Sequence, residues 1–253
     1  MVLKSVLVAG ILCSSALSLA GPNFQHEMTN PYYQVESVEV RDLGTQEISL
    51  DQLNADQQER VESIGADIIE SSVGLKVNSL TDSIDPLTTV DIVVDKIINI
   101  GKKIWNVVLA GKPVVNLKTD VATALPMGVT NWTAMESWSA PRSKTVEVSY
   151  KNPYGMTVVS LRYQLIYLAG GSVNGKGKYI GYATIQPTHV SVLWGWTLNA
   201  QSSVPAVYNM GTADAPVAGM TLQLNWQVGT ALNRRETAVN YAITGEGQLT
   251  QLK

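Results

Sequence analysis

Histidine is the side chain most often used as a general base or metal ligand near neutral pH, and this chain of 253 residues has two, His26 and His189. His26 lies in an irregular stretch near the N-terminus. His189 falls on the polar side of an alternating segment, where an imidazole is ordinarily solvated or hydrogen-bonded. A serine triad needs serine, histidine and an acid brought together, and the chain has no G-x-S-x-G elbow. The single cysteine, Cys13, sits in the N-terminal leader described below, so no thiol nucleophile and no cysteine-based zinc site is expected in the rest of the chain. Carboxylates alone can hydrolyse glycosides. The C-terminal half offers Asp120, Glu136, Glu147, Asp214, Glu236 and Glu246, none in a motif, which leaves glycan hydrolysis the weakest functional alternative. Asp82, Asp85, Asp91 and Asp95 lack the ordered spacing and central glycine of an EF-hand loop. The residue types point to a protein that is not an enzyme, with no cofactor and no metal site.

Other residues suit recognition. Gly170 to Lys178 reads GGSVNGKGK; it lacks the spacing of a phosphate loop, and Asn174-Gly175 marks the turn of a hairpin instead. Asn174, Lys176 and Lys178 are therefore candidates for a contact loop on a rigid scaffold. Trp132 and Trp138, in the turn-rich stretch LPMGVTNWTAMESWSAPR, are candidates for exposed aromatic contacts. Trp194, Trp196 and Trp226 run in phase with Val and Leu and are expected in the core. Asn131-Trp132-Thr133 is a glycosylation sequon, relevant only in a eukaryotic host. No basic stripe with interleaved aromatics marks a nucleic-acid groove.

The elements that must carry these residues divide into two halves. From Pro86 to Ala110 the sequence PLTTVDIVVDKIINIGKKIWNVVLA opens with Asp85 as N-cap and closes at Gly111 and Pro113. The spacing predicts an amphipathic helix of roughly 37 Å, whose face of Val90, Val94, Ile97, Ile104, Trp105 and Val108 would meet a partner or a membrane surface. Asp91, Asp95, Lys96, Lys102 and Lys103 make it a poor membrane span. A capping box at Ser49 and Gln52, with Val61, Ile64, Ile68 and Ile69 behind it, predicts a preceding helix, so residues 49–111 form a helix pair. Residues 21–48 read as an extended arm with one short strand, Val35 and Val38 or Val40 inward.

From Lys112 the period changes to two. Val159, Leu161, Tyr163, Leu165 and Tyr167 share one face, and Met220, Leu222, Leu224, Trp226 and Val228 another. Turn signals such as Asn152-Pro153-Tyr154-Gly155 separate the runs. The expectation is an α+β chain in which residues 112–253 form an antiparallel β-sandwich of roughly seven strands, immunoglobulin-like in size.

Residues 1–20, MVLKSVLVAGILCSSALSLA, have the lysine, apolar core and small residues of a secretory signal peptide cleaved after Ala20. That reads as bacterial export, to the periplasm or outside the cell. Residues 21–111 carry six basic against fifteen acidic side chains, and residues 112–253 eleven against six, a split that would let the halves attract each other. The sequence thus favours a non-enzymatic binding or structural protein of the envelope whose partner is a protein, glycan or lipid. A membrane-active protein that uses the helix over 84–110, with peripheral rather than spanning contact, is the alternative.

Overall fold

The computed structural model describes residues 30–48, 92–99, 103–110, 121–129, 132–231 and 233–252. In chain order its strands are β1 (Ser37–Glu47), β2 (Val93–Ile98), β3 (Lys103–Ala110), β4 (Ala122–Met127), β5 (Arg142–Lys151), β6 (Thr157–Val173), β7 (Lys176–Val192), β8 (Thr197–Asn209), β9 (Ala218–Gly229), β10 (Arg234–Thr244) and β11 (Leu249–Leu252). Short 3-10 turns occur at Pro31–Tyr33 and Trp132–Ala134. One sheet has six strands in the order β1-β5-β6-β7-β4-β2, the other five in the order β11-β10-β9-β8-β3. All strand pairs are antiparallel.

Period-two alternation creates the sandwich-like core. Along β9 Met220, Leu222, Leu224, Trp226 and Val228 are buried while Thr221, Gln223, Asn225 and Gln227 are half-buried on the other face. Along β6 Val159, Leu161, Tyr163, Leu165 and Tyr167 are all buried. These sets from the two sheets belong to one cluster. Two hydrogen bonds cross it: the Tyr163 and Tyr241 hydroxyls pair at 2.8 Å, and the Trp226 indole N–H donates to the Tyr150 hydroxyl at 2.7 Å. Burial, reinforced by the neighbouring Tyr241, pushes the Tyr163 hydroxyl far above the ordinary tyrosine range, so this pair stays neutral.

Turn chemistry matches the sequence. Asn174 and Gly175 both have positive φ, 50° and 71°, as a two-residue type I′ hairpin between β6 and β7 requires. At the β5–β6 turn the Asn152 side-chain oxygen accepts from the Tyr154 and Met156 N–H groups at 3.1 Å each, and Gly155 has φ 76°.

Four expectations need correction. Val93–Ile98 and Lys103–Ala110 are strands, at the edges of different sheets beside β4 and β8, so a continuous helix over 86–110 does not hold there. The run is rich in β-branched Val and Ile, which suit a pleat as well as a helix face, and two edge strands offered pairing that spacing alone could not reveal. The set Val94, Ile97, Ile104, Trp105 and Val108 consequently divides between β2 and β3; Val90 and the expected helix from Ser49 lie outside the described residues, as do the leader and its cleavage site. The sandwich also has more strands than the seven expected, because β1, β2 and β3 come from residues 21–111, the arm and helical region, and β11 from the last residues. Val38 and Val40 point to the core side of β1, but nothing described packs over them and they remain 42% and 64% exposed. Finally, Trp196 and Trp226 are buried as expected, whereas Trp194 is 77% exposed, because Leu193 to Trp196 is a turn and not a continuing strand.

Replacing Tyr150 by Phe should leave the Trp226 N–H buried without an acceptor and lower stability by about 1–3 kcal/mol; urea unfolding monitored by tryptophan fluorescence measures it.

Candidate functional site

The contact-loop candidates from the sequence do come together, at the end of the sandwich formed by the β6–β7 turn. Glu136 exchanges backbone hydrogen bonds with Ser172, and its carboxylate accepts from the Gly175 N–H at 2.9 Å. This ties the segment bearing Trp132 and Trp138 to Asn174. Asn174, Lys176 and Lys178 are exposed. The two tryptophans are half-buried, their rings edge to face at 5.9 Å, with the Trp138 N–H donating to the Trp132 carbonyl at 3.1 Å. Gly171 and Gly181 are required here: a Cβ on either would overlap the Trp138 ring. The pair thus covers the second, smaller apolar cluster of Val121, Ile166, Leu168 and Tyr182, and its first duty is packing.

The opposite end carries the aromatic surface that the sequence did not single out. Trp194 occupies the tip of the β7–β8 turn, where the Trp196 N–H bonds to the Leu193 carbonyl at 3.1 Å and Gly195 has φ 81°, the glycine position of a type II turn. The Tyr32 hydroxyl donates to the Trp194 carbonyl at 2.9 Å, and the Tyr33 ring lies where a Cβ on Gly195 would be. Tyr154, 62% exposed, and Met156 sit on the adjacent β5–β6 turn. The Leu193 N–H bonds to the Val158 carbonyl at 2.9 Å, which fixes the two turns side by side. Gly195 inside an alternating run was the available signal for a turn.

Two concave surfaces accompany these ends. A groove of about 390 Å³, bordered by Asn199, Gln201, Asn225, Gln227 and Glu236, crosses the outer face of the five-stranded sheet. In it Asn199 donates to Gln227 at 3.4 Å and Gln227 donates to Glu236 at 2.6 Å. The second is a largely apolar cleft of about 570 Å³ between the sheets, walled by Val38 and Val40 on one side and by Thr237 and Val239 on the other, with Arg235 and Glu236 at its rim. Tyr150, Tyr163, Trp226 and Tyr241 form its floor. Its size and lining are those of a small-ligand or side-chain pocket.

Three acids of the C-terminal half, Glu136, Glu147 and Glu236, serve structural contacts. Glu147 pairs with Arg162 at 2.9 Å, Glu136 holds Gly175, and Glu236 accepts from Gln227. His189 stands opposite Arg162 on the outer face of the six-stranded sheet. No cluster of metal-ligating side chains occurs among the described residues. Compared with protein-family models, with curated proteins and with solved structures, the chain matches none.

The β1 wall of the cleft is held by ion pairs to β5: Glu39 with Lys151 at 3.0 Å, Asp42 with Lys144, and Glu47 with Arg142 at 3.7 Å. Hydrogen bonds from Lys151 and then Arg41 hold the Glu39 carboxyl below its usual range, and those from Lys144 and then the Gly44 N–H do the same for Asp42. Depressed carboxyl pKa values stabilise the folded state above the unfolded pKa, and that stabilisation disappears as the pH falls through the folded values. Apart from the largely covered Lys144 the partners are open to solvent, so the effect is local. Acidification below the ordinary carboxylate range should release β1 before β5 and β6, read as a loss of backbone-amide protection confined to residues 37–47.

Proposed function

We propose that the chain is an exported, non-enzymatic binding protein of the bacterial envelope whose rigid β-sandwich presents its Trp194 end to the ligand. One observation carries the reading: a tryptophan 77% exposed on a turn that is nevertheless held by Tyr32, Tyr33 and the strand at Val158. Tryptophan is among the largest apolar side chains, and a fold that leaves one in water forgoes much of the burial available to it. Tyr32, Tyr33, Gly195 and the bond from Leu193 to Val158 hold the turn in place, so little conformational freedom remains to be lost when a ligand arrives. Tyr154 and Met156 extend the apolar surface beside it. Such a surface suits the flat face of a sugar ring or the interfacial layer of a bilayer, where tryptophan and tyrosine concentrate.

The same exposed aromatics favour lipid contact as the second reading. That contact would be peripheral and made by turns. The helical device expected over 84–110 is replaced by strands at 93–98 and 103–110, and no helix among the described residues is long and apolar enough to cross a membrane. The exposed Asn174, Lys176 and Lys178 remain a subsidiary contact loop at the far end.

Binding to an envelope-glycan array and to vesicles of zwitterionic and of anionic phospholipid tests the proposal. The protein should bind one of these classes, and Trp194→Ala should weaken binding about tenfold or more, the size of a hot-spot residue, with thermal stability unchanged. A wild-type protein that binds none of them, or a Trp194→Ala variant that binds as tightly, overturns it. A blue-shifted tryptophan emission with vesicles alone selects the lipid reading.

A further inference from the structure

The two sheets are unequal along one edge. β1 spans eleven residues, whereas β11, which lies on the corresponding edge of the other sheet, pairs with β10 only from Asn240↔Leu252 to Ile243↔Leu249. Among the described residues nothing pairs with that side of β10 between Arg234 and Ala238. The direction of its backbone groups follows from the ladder. The Thr244 N–H points towards β11, bonding to the Gln248 carbonyl, while the Gly245 N–H points to the Ala218 carbonyl beside β9. The β9–β10 register runs without a shift from Arg234↔Gly229 to Thr244↔Gly219. The even-numbered residues Arg234, Glu236 and Ala238 therefore aim their N–H and C=O groups at the open edge. The odd-numbered Arg235, Thr237 and Val239 share the face of buried Tyr241 and Ile243 and turn their side chains towards the cleft.

A row of unpaired backbone groups above an apolar cleft is the arrangement that a strand-shaped ligand completes. An acyl chain could fill the apolar volume but would seal off the edge groups without partners. A peptide satisfies both. A strand antiparallel to β10, running in the same direction as β11, would meet Ala238 first and Arg234 last. Its residues opposite Thr237 and Arg235 would point inward with them, since directly opposed residues share a face. Arg234 and Arg235 are exposed and have no ion-pair partner among the described residues.

We propose that the edge of β10 from Arg234 to Ala238 accepts an extended segment of a partner polypeptide as an added antiparallel strand. The segment carries a large aliphatic side chain that enters the cleft opposite Thr237 and, two residues later, an acidic one that meets Arg235. The residue between them faces outward beside Glu236, so it is neutral or basic. The site is at the β1–β10 edge, and it does not depend on Trp194 or on what that end of the sandwich contacts.

The probe is acetyl-Thr-Leu-Thr-Glu-Thr-amide, titrated into the intact protein while backbone amide signals are followed by NMR. Shifts should cluster at Arg234 to Ala238 and at Val38 and Val40. Replacing the peptide leucine by alanine should weaken binding about tenfold or more. Arg235→Gln should weaken it a few-fold and make it insensitive to salt. Ala238→Pro removes an N–H that faces the open edge and not β9, so it should abolish binding while far-UV circular dichroism and thermal midpoint stay close to wild type; if that variant unfolds, Val40→Asp, at an already exposed position, takes its place. The register-shifted peptide acetyl-Thr-Leu-Glu-Thr-Thr-amide should not bind. Absence of binding by wild type at millimolar peptide, equal binding of the shifted peptide, undiminished binding by the folded variant, tighter occupation of the same amides by decanoate, or a dimer that already protects this edge would each overturn the proposal. Trp194→Ala should leave the titration unchanged.

Discussion

Four aromatic side chains set the separation of the two sheets. Tyr150 and Tyr163 from the six-stranded sheet reach Trp226 and Tyr241 from the other, and each polar tip ends on a partner. A buried hydroxyl or indole N–H without a partner costs free energy, so the two sheets can oppose each other only in a register that lets both bonds form. Valine, leucine and methionine then fill the volume around these four rings. The cleft is a consequence of the same arrangement. The aromatics hold the sheets apart at β5, β6, β9 and β10, and beyond them towards β1, among the described residues, the five-stranded sheet stops before the six-stranded one does.

Two kinds of surface follow from that frame. At the ends, turns project side chains with little freedom, and the Trp194 turn is fixed by Tyr32 and Tyr33 from a segment far away in sequence. Along the edge, β10 presents backbone rather than side chains. Natural sheets guard such edges with charge and shortness, and Arg234, Arg235 and Glu236 supply charge here. The same charges would make the edge selective, because an added strand must satisfy them as well as the backbone.

Much of the C-terminal half was legible in the sequence, because period two is a direct consequence of one buried face: β5, β6, β9 and β10 and their turns at Asn152 to Gly155 and Asn174-Gly175 follow from it. Three features were not. The Val- and Ile-rich run at 93–108 satisfies helical spacing and strand propensity together, and only the availability of edge partners decides between them. Trp194 continues the alternation of its neighbours, so burial was the default until Gly195 took positive φ. The cleft could not be foreseen at all, since it depends on which strand lies opposite β1 and how far that strand extends. Of the tryptophans foreseen as exposed, Trp138 lies over two glycines whose missing side chains leave room for its indole, and Trp132 packs edge to face against it.

Amide hydrogen exchange along β10 in the free protein reads directly whether this edge is open. An open edge gives alternation, with Thr237 and Val239 protected by their bonds to β9 and with Arg234, Glu236 and Ala238 exchanging at close to the rate of solvent-exposed amides. Uniform protection from Arg234 to Val239 would contradict it, because it would mean that this edge is already paired.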